Sequence, residues 1–152
     1  MASLFSAEQN LSYFTVPVAL ILALLPRVYS GLSGPGSKIF DGTNPRKFSE
    51  QLEKSELDKQ LVQRLQRAEA AGANAFEGLP LFAAAVVAGN SAGLPTATLN
   101  ALSVGYIANR VVYTWYYIWI SSNRRMASYR PLVWSVGVAC IMTLFVKAGL
   151  QQ

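Results

Sequence analysis

Two stripes of polar residues stand out in an otherwise largely apolar chain. Arg67, Asn74 and Glu77 are spaced by seven and three, and Arg110, Tyr113 and Tyr117 by three and four. Both spacings return to one face of an α-helix. Each stripe therefore sets a cation and several polar groups along a single line. Arginine could hold carboxylates, Glu77 an ammonium group, and the tyrosine hydroxyls could donate near a reacting atom. That inventory suits a polar, zwitterionic ligand. The alternative is an ion pair, Glu77 with Arg110, that only packs two helices together. The chain has no histidine and one cysteine, Cys140, in an apolar run. Imidazole base catalysis and an internal disulfide are thereby excluded, and the usual zinc sites nearly so. No metal is expected, and proton chemistry must use Glu, Tyr, Arg, Lys or a bound cofactor.

The elements that position these residues read as membrane helices. Of 152 residues, 52% are hydrophobic and only 14% charged, where soluble domains carry about 25% charge. Four apolar stretches are expected to span the bilayer, at about 12–33, 67–89, 97–121 and 131–150, within one domain covering 1–152. Pro17 and Pro26 are expected to kink the first, which buried membrane helices tolerate. The segment before it carries Glu8 and no Lys or Arg, unlike a cleaved signal peptide. The second is rich in Ala and Gly, a surface that lets helices approach closely. The third ends in Trp115, Tyr116, Tyr117 and Trp119, of which Trp115, Tyr116 and Trp119 read as a headgroup-depth belt. FSEQLEKSELDKQLVQRL, with Phe48, Leu52, Leu57, Leu61 and Leu65 at helical spacing, reads as an interfacial loop running into an amphipathic helix.

The net charge is +5, and eight of the thirteen Lys and Arg residues lie between Arg27 and Arg67, with Arg124, Arg125 and Arg130 in one later segment. This is the pattern of cationic membrane loops, without the clustered exposed aromatics of a nucleic-acid surface. The positive-inside rule puts the 34–66 and 122–130 connections in the cytoplasm and both termini on the opposite, luminal side. Glu77 falls near the middle of its span, where a charge costs about 2.5–3.5 kcal/mol and so calls for a partner or a bundle interior.

The stretches FDGTNPRKF (40–48), RLQRAEAAGANAFEGLPLFAAAVVAG (64–89), RVVYTWYY (110–117) and RPLVW (130–134) resemble the MAPEG family, the membrane-associated proteins in eicosanoid and glutathione metabolism. The resemblance runs from about Phe40 to the end and is closest to the microbial and fungal branch. It implies an all-α, integral membrane four-helix bundle assembled as a homotrimer, in the endoplasmic reticulum. It also implies glutathione as cofactor, held between subunits near the cytoplasmic face. Asn74 and Glu77 would meet the tripeptide from the second helix, and Arg110, Tyr113 and Tyr117 from the third. Arg67, seven residues before Asn74 and one turn further out than the family's arginine, would reach the same place in part. Arg130 would stabilise the thiolate at the start of the fourth helix, with Arg124 and Arg125 as rivals. A cation there lowers the thiol pKa. Two positions depart from the pattern: Ala70 stands where glutathione-using eicosanoid enzymes have an arginine, and Gly72 where many microbial relatives have a histidine.

Three functions follow as expectations. The first is a glutathione-dependent transferase, peroxidase or isomerase acting on a lipophilic electrophile delivered from membrane lipid. The second is a glutathione-independent isomerase or cyclase of a hydrophobic metabolite. The third is a non-catalytic protein that binds and presents lipid, which Ala70 favours.

Overall fold

The computed structural model describes residues 9–32 and 34–151. Among them the chain is all α, without a strand. In chain order the helices are α1 (Ser12–Arg27), α2 (Phe48–Glu53), α3 (Lys59–Ser91), α4 (Thr96–Trp115), α5 (Arg124–Ala127) and α6 (Arg130–Leu150). The long helices α1, α3, α4 and α6 carry the fold: α1 packs on α3 and α4, and α6 packs on the other faces of the same two. Three segments are long and apolar enough to cross a membrane, Ser12–Leu32, Lys59–Ser91 and Arg124–Leu150. Helix α4, with Asn100, Asn109 and Arg110 along its length, is not among them.

Local chemistry explains where the helices begin and end. Asp58 caps α3, its carboxylate accepting from Gln60 N at 2.9 Å and Leu61 N at 3.1 Å. That cap sets the start of α3 eight residues before the expected 67–89 span and divides the amphipathic stretch into α2 and the first turns of α3. Phe48, Leu52, Val62 and Leu65 from the two pieces close into one buried cluster with Phe40 and Leu57. At its other end α3 stops at Gly93, whose φ is +71°. Gly93 N donates to Asn90 O and Leu94 N to Gly89 O, both at 3.0 Å, and Pro95 follows. This paired closure needs a residue that tolerates positive φ. Helix α1 stays helical through Pro17 and widens into a π turn, Val28–Leu32, just after Pro26. A second π turn, Tyr116–Ile120, ends α4. In the connection after α1, the Thr43 hydroxyl and then its N–H hold the Asp41 carboxyl below its ordinary pKa.

The core between the long helices centres on Phe82 of α3 and Tyr106 of α4, stacked at 3.9 Å between centroids, with Leu99, Ile141 and Leu144 around them. At one end of the helices the fastenings are amides. Asn90 Nδ2 donates to Ser12 Oγ at 2.9 Å and Asn10 Nδ2 to Asn90 Oδ1 at 2.6 Å. Asn100 accepts from Leu11 N at 2.8 Å and donates to Gln9 O at 2.9 Å. The start of α1 is thereby tied to the end of α3 and the start of α4. The opposite end is fastened by charge. Arg27 donates from Nη2 to Glu69 Oε2 at 2.8 Å, and the Ser30 hydroxyl donates to the other carboxylate oxygen. Nearby, Arg64 lies over the Trp119 ring at 4.7 Å.

Candidate functional site

The charged end of the molecule holds the site, because the stripes of α3 and α4 meet there. Arg110 of α4 is buried and points at α3. Its Nη1 donates to Asn74 Oδ1 and its Nε to Tyr106 Oη, each at 3.0 Å. Its guanidinium also stands 5.6 Å from the Tyr113 ring centroid. Gly78 makes this approach possible: a Cβ there would lie 2.5 Å from Arg110 Nη2. The expected alternative of a Glu77–Arg110 packing pair is therefore corrected. Gly78 admits the guanidinium against α3, where Asn74 takes it up. Glu77, exposed one position earlier, makes no ion pair or hydrogen bond among the described residues.

Asn74 and Glu77 open instead onto a cavity of about 480 Å³ between α3, α4 and the start of α6. Tyr113 and Tyr117 line it from α4 and its π turn, their rings edge to face at 5.7 Å. Arg130 closes it from α6, its guanidinium 4.4 Å from the Tyr117 ring centroid. Pro131 and Trp134 make the apolar side of the lining, with Ala127 of α5 beside them. One wall thus carries a carboxylate, an amide, two phenols and a guanidinium, and the other is suited to a hydrocarbon or ring.

Arg67 does not line this cavity. It borders an adjoining hollow of about 280 Å³ with Gln63, Gln66, Ala70, Tyr117 and Arg130. Its Nε donates to Ile118 O at 3.1 Å, the terminal nitrogens remaining free among the described residues. Ala70, Tyr117 and Arg130 belong to both spaces, so cavity and hollow meet where Arg130 crosses Tyr117. Arg110 lies behind the lining and holds Asn74 in place. Arg124 and Arg125 stand exposed on α5 and line neither space. Of the aromatic belt, Trp115 and Trp119 are exposed, whereas Tyr116 is half-buried with its hydroxyl on Met126 O at 2.8 Å.

Gln63 and Trp134 were not singled out in the sequence, and for Gln63 the spacing held the signal. Gln63, Arg67, Ala70, Asn74 and Glu77 follow each other by four, three, four and three, one continuous helical stripe. Trp134 lies one turn beyond Arg130 on the same face. The Arg27–Glu69–Ser30 clamp had no local signal, because it joins α1 to α3 across the fold. It borders a smaller hollow of about 190 Å³ with Ala23, Gly72, Ala73 and Phe76, and Ala73 separates that hollow from the cavity.

A model of the MAPEG family matches residues 11–150. No curated protein and no solved structure gives a match.

Proposed function

We propose, from the premise that this chain belongs to the MAPEG family, that it is an integral membrane enzyme using glutathione against a lipophilic electrophile that enters from the bilayer. The observation that carries this reading is the convergence of Asn74, Glu77, Tyr113, Tyr117 and Arg130 on one cavity with an apolar wall. The residues fit the tripeptide. Glu77 is an unpartnered carboxylate on the cavity wall, suited to an ammonium group. Arg130 and Arg67 have terminal guanidinium nitrogens free for carboxylates or for a thiolate. Asn74, fixed by Arg110, offers an amide for a peptide group. Glutathione supplies the thiol nucleophile. Arg130 favours the deprotonated sulfur by its charge, and Tyr117 beneath it can donate to the oxygen that gains charge on the electrophile. In this assignment Arg130, in the lining, takes the catalytic part and Arg124 does not.

The same reading calls for a second copy of the chain. Ala70, Ala73, Phe76, Glu77, Pro80 and Leu81 form an exposed face of α3 inside a membrane-crossing segment. A carboxylate facing lipid there costs about 2.5–3.5 kcal/mol, and small residues let another helix cover it. We take the assembly to be a homotrimer of four-span subunits, α4 being the span shielded by its neighbours. Luminal termini complete the proposal, resting on the cationic 34–66 and 122–130 connections, and the endoplasmic reticulum is proposed from family membership alone.

A glutathione-independent isomerase or cyclase, or a lipid-presenting protein, is the second reading. Ala70 favours it by removing a cation from the point where cavity and hollow meet. Calorimetry of the detergent-purified protein with glutathione separates the two. Binding that falls at least ten-fold in Glu77→Gln and in Arg130→Ala supports the glutathione reading. Absence of binding by a folded oligomer overturns it.

A further inference from the structure

The connection between α4 and α6 holds two cations that the site does not use. Arg124 and Arg125 are exposed on α5, and neither side chain makes a hydrogen bond or an ion pair among the described residues. Neutralisation from their own half of the chain is impossible, because no Asp or Glu follows Glu77. Both ion pairs of the described residues lie elsewhere, at Arg27–Glu69 and Glu50–Lys54.

Their depth is set by what surrounds them. The helical stretch that holds the last span begins at Arg124, and its apolar run opens at Leu132, just after Arg130 and Pro131. The exposed rings of Trp115, Trp119 and Tyr129 stand in the sequence on either side, and rings of this type settle at the headgroup layer. Arg124 and Arg125 thus stand between rings of the kind that mark headgroup depth and the apolar run of α6. The backbone of this turn is also fastened: Asn123 Oδ1 accepts from Arg125 N at 2.9 Å, and Met126 O accepts from Tyr116 Oη at 2.8 Å. Ala127 O, in turn, accepts from Arg130 Nε at 3.2 Å, and Ala127 lines the cavity.

We propose that Arg124 and Arg125 form a contact site for the anionic headgroups of the bilayer in which α6 sits, at the rim of the cavity. Such a lipid would rest against the turn whose carbonyl holds Arg130. The proposal stands apart from the glutathione reading, since it needs neither the thiol nor any turnover.

The chain's own fluorescence can test it. All three tryptophans, Trp115, Trp119 and Trp134, lie near this end. The full chain is reconstituted in phosphatidylcholine bilayers, and quenching is compared between brominated phosphatidylserine and brominated phosphatidylcholine. A cation near an anionic surface is worth about five-fold in affinity, so the wild type is expected to prefer the serine lipid by about five-fold or more. Arg124→Gln/Arg125→Gln is expected to bring the ratio close to one with an unchanged melting temperature in detergent. Arg124→Lys/Arg125→Lys should keep most of the preference, and Arg46→Gln/Lys47→Gln, an equal charge loss in the other connection, all of it. The proposal is overturned if the wild type shows no preference or the glutamine pair retains it. It also fails if the Arg46/Lys47 variant abolishes the preference, or if millimolar inorganic phosphate competes the lipid away.

Discussion

Replacing Gly78 by alanine tests the contact that organises the site. In an isolated helix the change is favourable, since alanine exceeds glycine by about 1 kcal/mol in a helix interior. Here the new Cβ would stand 2.5 Å from Arg110 Nη2 and 3.3 Å from Tyr106 Oη. A flexible arginine tip usually swings aside at little cost. Arg110 is only 6% exposed and is held by Asn74 and Tyr106, so moving it gives up a hydrogen bond from a charged donor. Such a bond is worth about 1.5–3 kcal/mol. The difference is a net loss of about 0.5–2 kcal/mol, measurable by denaturation in mixed micelles followed through tryptophan fluorescence. The decisive comparison is the same substitution in an Arg110→Met background, where the side chain keeps its bulk and makes no such bonds. There Gly78→Ala should stabilise by about 1 kcal/mol. A change of the same sign and size in both backgrounds would refute the reasoning.

Two further substitutions probe the two ends of the fold. Asn90→Ala removes a donor to Ser12 and an acceptor for Asn10, and is expected to cost about 1–3 kcal/mol, with faster amide exchange in the first turns of α1. Unchanged exchange there would mean that the amide network does not fasten α1. Glu69→Gln removes the charge opposite Arg27, whose side chain is 37% exposed. It should cost no more than about 1 kcal/mol at low salt, and the deficit should shrink in 1 M salt. A salt-independent deficit would assign the stabilisation to the Ser30 hydrogen bond.

The stripes on α3 and α4 were legible because helical periodicity alone puts Asn74 with Glu77 and Arg110 with Tyr113 and Tyr117. Which member of one stripe meets which member of the other was not. Asn74 and Glu77 share a face, and the choice between them falls to Gly78, whose missing side chain matters only once α4 lies against it. The start of α3 at Lys59, ahead of the expected span, has a different reason. Hydropathy reports where lipid becomes a better solvent, near residue 67, whereas the helix needs only backbone hydrogen bonds and the Asp58 cap. Trp134 was hidden because the orientation of α6 about its axis depends on how the 122–130 connection folds. Arg124, Arg125 and Arg130 look alike in sequence, and only the turn at α5 separates two exposed cations from one in the cavity.

The contrast between the two ends of the fold bears on how the molecule can move. Neutral amides hold one end, and their strength responds little to salt, pH or a charged ligand. The other end has an apolar cluster and one amide hydrogen bond, Asn109 to Val133 O. Cations over rings and one ion pair join α1, α3 and α4 there, however, and any anion arriving competes with these directly. Breathing of the helices should therefore be a splay pivoting at Asn90 and Asn100, widest at the cavity. A helix of 20 residues is about 30 Å long, so a tilt of about 5° at the pivot opens the far end by about 2.5 Å. That displacement is enough to lift Arg64 of α3 from Trp119 beyond the end of α4. Asn109 Nδ2 on Val133 O meanwhile keeps α4 with α6, and the stacked core of Phe82 and Tyr106, closer to the pivot, stays in contact.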